Sequence, residues 1–236
     1  MKAIYFPAAE RGTADYGWLK PKYYFSFAHY HDREKSHFGL LRVLNDDFIA
    51  GGGAFATHPH DNMEIITIPF SGAIKHKDST GSQGVIRAGD VQIMSAGTGV
   101  QHSEANASST EPVTLFQIWI FPKERNIIPR YDQRTFDMKE RVNKWQIIVS
   151  PDENDKALWI NQDARLSLTK LEAGKTMNYT NAFKGNGVFL VVLNGSVTID
   201  EQPLNKRDAL GIYETDEFII TPIDGAELLA IEIPMN

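Results

Sequence analysis

Apolar residues along this chain fall in short runs rich in Val, Ile, Phe and Tyr, and Gly, Asn, Asp and Pro bound them. The runs include Glu64–Phe70, Ala73–His76, Val91–Met94, Val113–Phe121, Trp145–Val149, Val188–Leu193, Ser196–Ile199, Glu217–Ile220 and Glu227–Ile233. Runs of this length with β-branched and aromatic residues between turn formers predict strands, and long helical periodicity is scarce. The expected fold is therefore mostly β, a sandwich or a barrel. Arg125–Arg141 is polar, mixes basic and acidic residues and lacks sustained periodicity, so it reads as a solvated connection between two domains.

A weak internal repeat supports two domains. Phe70-Ser-Gly-Ala-Ile is followed by Arg87-Ala-Gly-Asp and the apolar run around Phe116-Gln-Ile-Trp; Leu193-Asn-Gly-Ser-Val is followed by Arg207-Asp-Ala-Leu and Leu228-Leu-Ala-Ile-Glu-Ile. The division expected is residues 1–125, a connection over 126–144, and residues 145–236. All seven histidines (29, 31, 37, 58, 60, 76 and 102) lie in the first half. If the halves share a fold, only the first can hold a histidine-rich metal site.

Composition narrows the chemistry. The formal charge of −6 comes without any long Lys/Arg run, which disfavours direct nucleic-acid binding. No stretch approaches the roughly 18 apolar residues of a membrane span, and the N-terminus has no extended apolar segment, so a cytoplasmic protein without membrane association is expected. With no cysteine, side-chain metal ligands are restricted to His, Asp and Glu.

Within that restriction two pairs stand out. His58-Pro-His60 and His102-Ser-Glu104 each place two ligand types at i and i+2, on one side of an extended strand. Brought together, they make a set of three nitrogens and one oxygen that leaves two positions open on a six-coordinate ion. Such donors suit iron, manganese, nickel, copper or zinc, with Fe2+ the first choice for oxygen chemistry. Glycines precede both pairs, as Gly51-Gly52-Gly53 and Gly97-Thr98-Gly99, where sharp corners at a barrel mouth would need them. His29, His31, His37 and His76 are expected to be ordinary core or surface groups, and Phe116, Trp119 and Phe121 to be barrel core.

Gly52 through His58-Pro-His60 to Glu64 resembles the first cupin motif, and Gly89 through Ser95-Ala-Gly97 to His102 resembles a modified second one. The longer strings His58-Pro-His-Asp-Asn-Met-Glu64 and Gly89-Asp-Val-Gln-Ile-Met-Ser-Ala-Gly-Thr-Gly-Val-Gln-His-Ser-Glu104 resemble the pirin family, as do Phe25-Ser-Phe-Ala-His-Tyr and Leu41-Arg-Val-Leu-Asn-Asp-Asp47. The resemblance implies a bicupin: two β-barrels of the double-stranded β-helix (jelly-roll) type packed face to face. The first would hold one divalent metal, and the second would have lost its ligands. Asn178-Tyr-Thr180 stands where a second His-x-His would fall.

It also implies that His58, His60, His102 and Glu104 are the metal ligands, with Glu64 in a supporting shell or as an alternative ligand. Some bacterial pirins degrade flavonols, so the activity implied is a metal-dependent quercetin 2,3-dioxygenase-like ring opening with O2 that releases CO, with Glu104, or Glu64 if it lies closer, as catalytic base. Eukaryotic pirins are described as transcriptional coregulators, and the alternative implied is a metal-dependent regulatory or redox-sensing protein that binds a protein partner.

Overall fold

The computed structural model describes all 236 residues. They form three antiparallel-dominated sheets and three short 3-10 turns. No helix is long and apolar enough to cross a membrane.

Two sheets build the N-terminal barrel. The larger has seven strands in the order Arg130–Thr135, Asp90–Ser95, Glu64–Ser71, Val113–Ile120, Leu41–Ile49, Leu19–Tyr23 and Gly12–Thr13. The smaller has four, in the order Ala54–His60, Val100–Asn106, Ala73–Asp78 and Gln83–Arg87. A nine-stranded sheet, dominated by the long strands Gly187–Ile199 and Glu217–Ile233, forms the C-terminal barrel. Both long strands bend through register shifts, which lets one strand serve two faces of a curved barrel.

The faces between the barrels carry the largest apolar cluster, 28 buried residues contributed by both halves. Alternation in the central strands produces it. Ile66 and Ile68, and Phe116, Ile118 and Ile120, point outward from the first barrel onto Leu166, Leu168, Phe189, Val191, Leu229 and Ile231 of the second. A polar bridge crosses the same interface: Asp46 accepts from Arg11 at 2.8 Å and lies 3.2 Å from the Arg207 guanidinium. The barrels thus pack face to face, as expected.

Two segments depart from the expected division. Lys2–Phe6 pairs antiparallel with Ala209–Tyr213 and so completes the C-terminal sheet rather than the domain spanning 1–125. Its side chains are mostly exposed, and what places it is backbone hydrogen bonding at a sheet edge plus Phe6, whose ring meets Phe25 and Phe189. Arg130–Thr135, inside the expected 126–144 connection, pairs with Asp90–Ser95 as an edge strand of the first barrel. Arg130–Thr135 is polar, as edge strands tolerate, and Lys2–Phe6 is a short apolar run without alternation, so neither carries a hydrophobic alternation to announce it.

The interior of the second barrel is filled by 15 buried apolar residues. At the place of the missing His-x-His, Asn178 and Thr180 are exposed, and the residue between them, Tyr179, faces the core, where it stacks on Phe218 at 5.4 Å between ring centroids and donates its hydroxyl to Glu232 at 3.1 Å.

Candidate metal centre

The histidines come from two paired strands at one edge of the first barrel. Gly52, at φ 75°, turns the corner into Ala54–His60, and Gly97, at φ 49°, packs so close to Ile127 that a Cβ would collide with its carbonyl oxygen. The second corner leads into Val100–Asn106, which pairs antiparallel with the first strand so that His102 stands opposite His58. His58, His60 and His102 converge, with ring centroids 4.4 Å (58 to 102), 4.8 Å (60 to 102) and 4.9 Å (58 to 60) apart. One nitrogen from each lies within 4.8 Å of the others.

Hydrogen bonding prepares these rings for an ion. His58 donates from Nδ1 to the Ala56 carbonyl at 2.8 Å, which leaves Nε2 bare. His102 Nε2 is buried and has no hydrogen-bond partner in the protein. Burial first, then the neighbouring His58, push His60 down to about 4, and burial with His58, His60 and His76 pushes His102 down to about 3. Metal binding needs neutral imidazoles, and the site keeps His60 and His102 neutral. A buried lone pair without a partner, beside two further imidazoles, fits a divalent ion.

Glu104 lies in the same cleft but not in the same mutual group. A bulge between His102 and Glu104 breaks the register, and the carboxylate joins His102 and His76 in a second cluster whose ligand atoms lie within 4.8 Å. Gln117 Nε2 donates to both of its oxygens, at 3.1 and 3.0 Å. Burial lifts Glu104 to about 7 against that hydrogen bond.

His76 is a satisfied buried histidine, as expected, yet it belongs to the site. Its Nε2 meets Asp78 at 2.9 Å and its Nδ1 lies 3.4 Å from His102 Nδ1, so both nitrogens are engaged and it is not a free ligand. Tyr131 stacks on its ring at 4.7 Å. The spacing His76-Lys-Asp78 repeats the same-face pairing of the two motifs and was the signal for it. The remaining histidines, His29, His31 and His37, are exposed.

Glu64, expected in a supporting shell or as an alternative ligand, points away from the histidines in this structure. The chain turns through Asn62 (φ 44°) after His60, so the strand does not run on to Glu64, and the new strand Glu64–Ser71 belongs to the other sheet. Glu64 shares the outward face of Ile66 and Ile68; it accepts from Ser95 Oγ at 2.8 Å and from the Asn161 backbone N–H, in the second barrel, at 3.2 Å.

A cavity of about 450 Å3 opens beside the histidines. The histidine-bearing strands form one wall and the larger sheet, with Asn45, Asp47, Gln117 and Trp119, forms the other. Trp18, Phe27 and Phe55 supply apolar surface. Phe116, Trp119 and Phe121 were expected to be barrel core, but they part: alternation sets Phe116 and Trp119 on opposite faces, and Phe121 lies beyond the end of the strand Val113–Ile120. Phe116 lies in the interdomain core, Phe121 is 37% exposed, and Trp119 lines the cavity with its ring edge-on to His60 at 4.9 Å. Asp47 is lifted to about 8, by burial first and then by Glu104 and Asp46.

Family models match over most of the chain: Pirin over residues 7–120 and the Quercetinase C-terminal cupin domain over residues 147–233. A protein named quercetin 2,3-dioxygenase from Escherichia coli strain K12 is 42% identical over 227 residues, 96% of each chain. The crystal structure of YhhW from Escherichia coli superposes with a TM-score of 0.94 at 41% identity, covering 99% of this chain and 98% of that one. Its nickel(II) complex, titled as a bacterial pirin, gives 0.93 at 40% identity and covers 99% of both chains. By sequence and by fold, this chain belongs to the pirin family.

Proposed function

We propose that the protein is a metal-dependent dioxygenase of flavonols such as quercetin, opening the central ring with O2 and releasing CO. The observation that carries this reading is the set of three converging imidazoles, one with a buried unpartnered Nε2, on the wall of an aromatic-lined cavity that also holds a buried carboxylate. The volume lies within the about 300–1,000 Å3 typical of small-molecule sites. Relatives named quercetin 2,3-dioxygenase at 42% identity point the same way.

His58, His60 and His102 would hold one divalent ion, with Glu104 as the oxygen donor. The ion, Fe2+ in this proposal, supplies Lewis acidity and a redox-active centre. The residues do the rest. Glu104 would accept the proton of the flavonol 3-hydroxyl, and Gln117 holds its carboxylate in place. Trp18, Phe27, Phe55 and Trp119 enclose the planar rings and keep water from them.

Purified protein reconstituted with Fe2+ should consume quercetin in air and release CO, and a His58→Ala, His60→Ala protein should not. Stoichiometric metal binding without turnover under Fe2+, Mn2+, Ni2+, Cu2+ or Zn2+ would overturn the enzymatic reading.

A further inference from the structure

The inner face of the larger N-terminal sheet carries a row of polar residues in cross-strand register: Asn45 stands opposite Gln117, Gln117 opposite Thr67, and Thr67 opposite Gln92. Gln117 is engaged, donating to Glu104 and, at 3.2 Å, to Thr67 Oγ1. Asn45 and Asp47 are not. They lie two apart on the strand Leu41–Ile49 and share its inner face, each only 5% exposed, and Oδ1 of each is buried without a hydrogen-bond partner in the protein. The cross-strand neighbours of Asp47 are Pro21 and Leu115, which have no side-chain donor to offer.

A buried acceptor left unpaired costs about 1–3 kcal/mol, and an apolar residue at position 47 would pack between Pro21 and Leu115 without that cost. Both residues border the cavity, on the wall facing His58, His60 and His102. A molecule lying between the walls would meet the metal ligands on one side and two hydrogen-bond acceptors on the other.

The geometry points to Asn45 and Asp47 as a specificity-determining pair that receives hydrogen bonds from the phenolic hydroxyls that the substrate carries on its pendant ring, away from its metal-directed oxygen. This rests on the flavonol reading above and narrows it: the substrates are polyhydroxylated aromatics, and an analogue lacking the extra hydroxyls leaves the acceptors unpaired. A site built to bond a hydroxyl rejects its absence more strongly than an apolar pocket rejects its presence.

Quercetin and galangin, which lacks the two hydroxyls of the pendant ring, form the test pair with the metal-loaded protein, read both as kcat/KM and as Kd. Wild type should favour quercetin by about tenfold or more. Asp47→Leu should drop quercetin to the level of galangin and leave galangin unchanged or improved, whereas Asp47→Asn, which keeps an acceptor, should stay within a few-fold of wild type for quercetin. Melting temperature and metal content check that each variant is folded, and the wild-type comparison stands alone if Asp47→Leu is not. Equal handling of both flavonols by wild type, or an undiminished quercetin preference in folded Asp47→Leu, overturns the inference and leaves the dioxygenase reading intact. Tighter binding of quercetin than galangin by about tenfold, with turnover of neither, overturns the dioxygenase reading and retains the pair.

Discussion

His76 fixes the tautomer of His102. Asp78 accepts hydrogen bonds from Thr80 Oγ1 at 2.6 Å and from the Thr80 and Ser82 backbone N–H groups at 2.9 and 3.1 Å. Against the upward push of burial, these and the His76 contact hold Asp78 below the usual range, so it is an acceptor and His76 Nε2 carries the proton. Burial lowers His76, which is therefore neutral with a bare Nδ1, and His102 must donate from Nδ1 and present Nε2 to the cleft. Asp78→Ala frees His76 to rotate and His102 to adopt either tautomer. Metal affinity should fall about 10- to 100-fold, as for other partners of ligating histidines, with the β fold retained by circular dichroism. Competition against a chelator of known affinity measures it.

Glu104 gives the metal-free protein a pH dependence of defined sign. Its folded value, about 7, lies above the ordinary 4.5, so the fold favours the protonated acid; that stability is fully present below about 4.5 and is lost as pH rises through about 7. Asp47, lifted to about 8, acts in the same direction. Glu104→Gln removes one of the two contributions. Relative to wild type, the variant should gain on the order of 2–3 kcal/mol at pH 8 compared with pH 4.5, at about 1.4 kcal/mol per unit. Denaturant titrations of chelator-treated protein at the two pH values measure it. The same substitution should abolish quercetin turnover, and full activity would remove Glu104 from the mechanism.

The sequence disclosed these residues unevenly, and for physical reasons. His58, His60 and His102 were legible because two ligands at i and i+2 on a strand must share a side, and the antiparallel register then sets His58 opposite His102. Apolar runs likewise disclosed the central strands. Position in the strand says nothing, however, about which sheet the next strand joins, and Glu64 was misplaced because the turn at Asn62 ended one strand and began another. Gln117 sits in an apolar run that reads as core, Asn45 and Asp47 sit in a polar triplet on a strand that the apolar runs did not single out, and only cross-strand register brings them to the cavity. Lys2–Phe6 was invisible because backbone pairing, rather than side-chain pattern, holds it.

Glu64 binds the two barrels together, so its loss should be felt in stability and not in metal content. Glu64→Ala leaves Ser95 Oγ and the Asn161 backbone N–H without their buried acceptor. The cost should be about 1–3 kcal/mol, read as a lower melting temperature, with metal affinity within about twofold of wild type. A tenfold loss of metal affinity at unchanged stability would return Glu64 to the site.

Phe189 shows how far the two barrels depend on one another. Its ring meets Phe6 of its own sheet at 5.0 Å and reaches across the interface to three aromatic rings of the first barrel: Phe25 at 5.3 Å, Phe38 at 5.6 Å and Tyr24 at 6.0 Å. It is fully buried, and all four partners are less than 9% exposed. Truncation to Ala opens a cavity that the closely packed neighbours cannot collapse, which places the cost in the range of about 3–5 kcal/mol. Because the cluster is shared, both halves should lose stability in one transition. Denaturant unfolding followed by Trp159 or Trp145 in the second half and by Trp18 or Trp119 in the first should shift to the same lower midpoint, using variants that retain a single tryptophan. Separate midpoints, with only the second-half signal displaced, would mean that the barrels fold independently and that the shared core contributes little to the first.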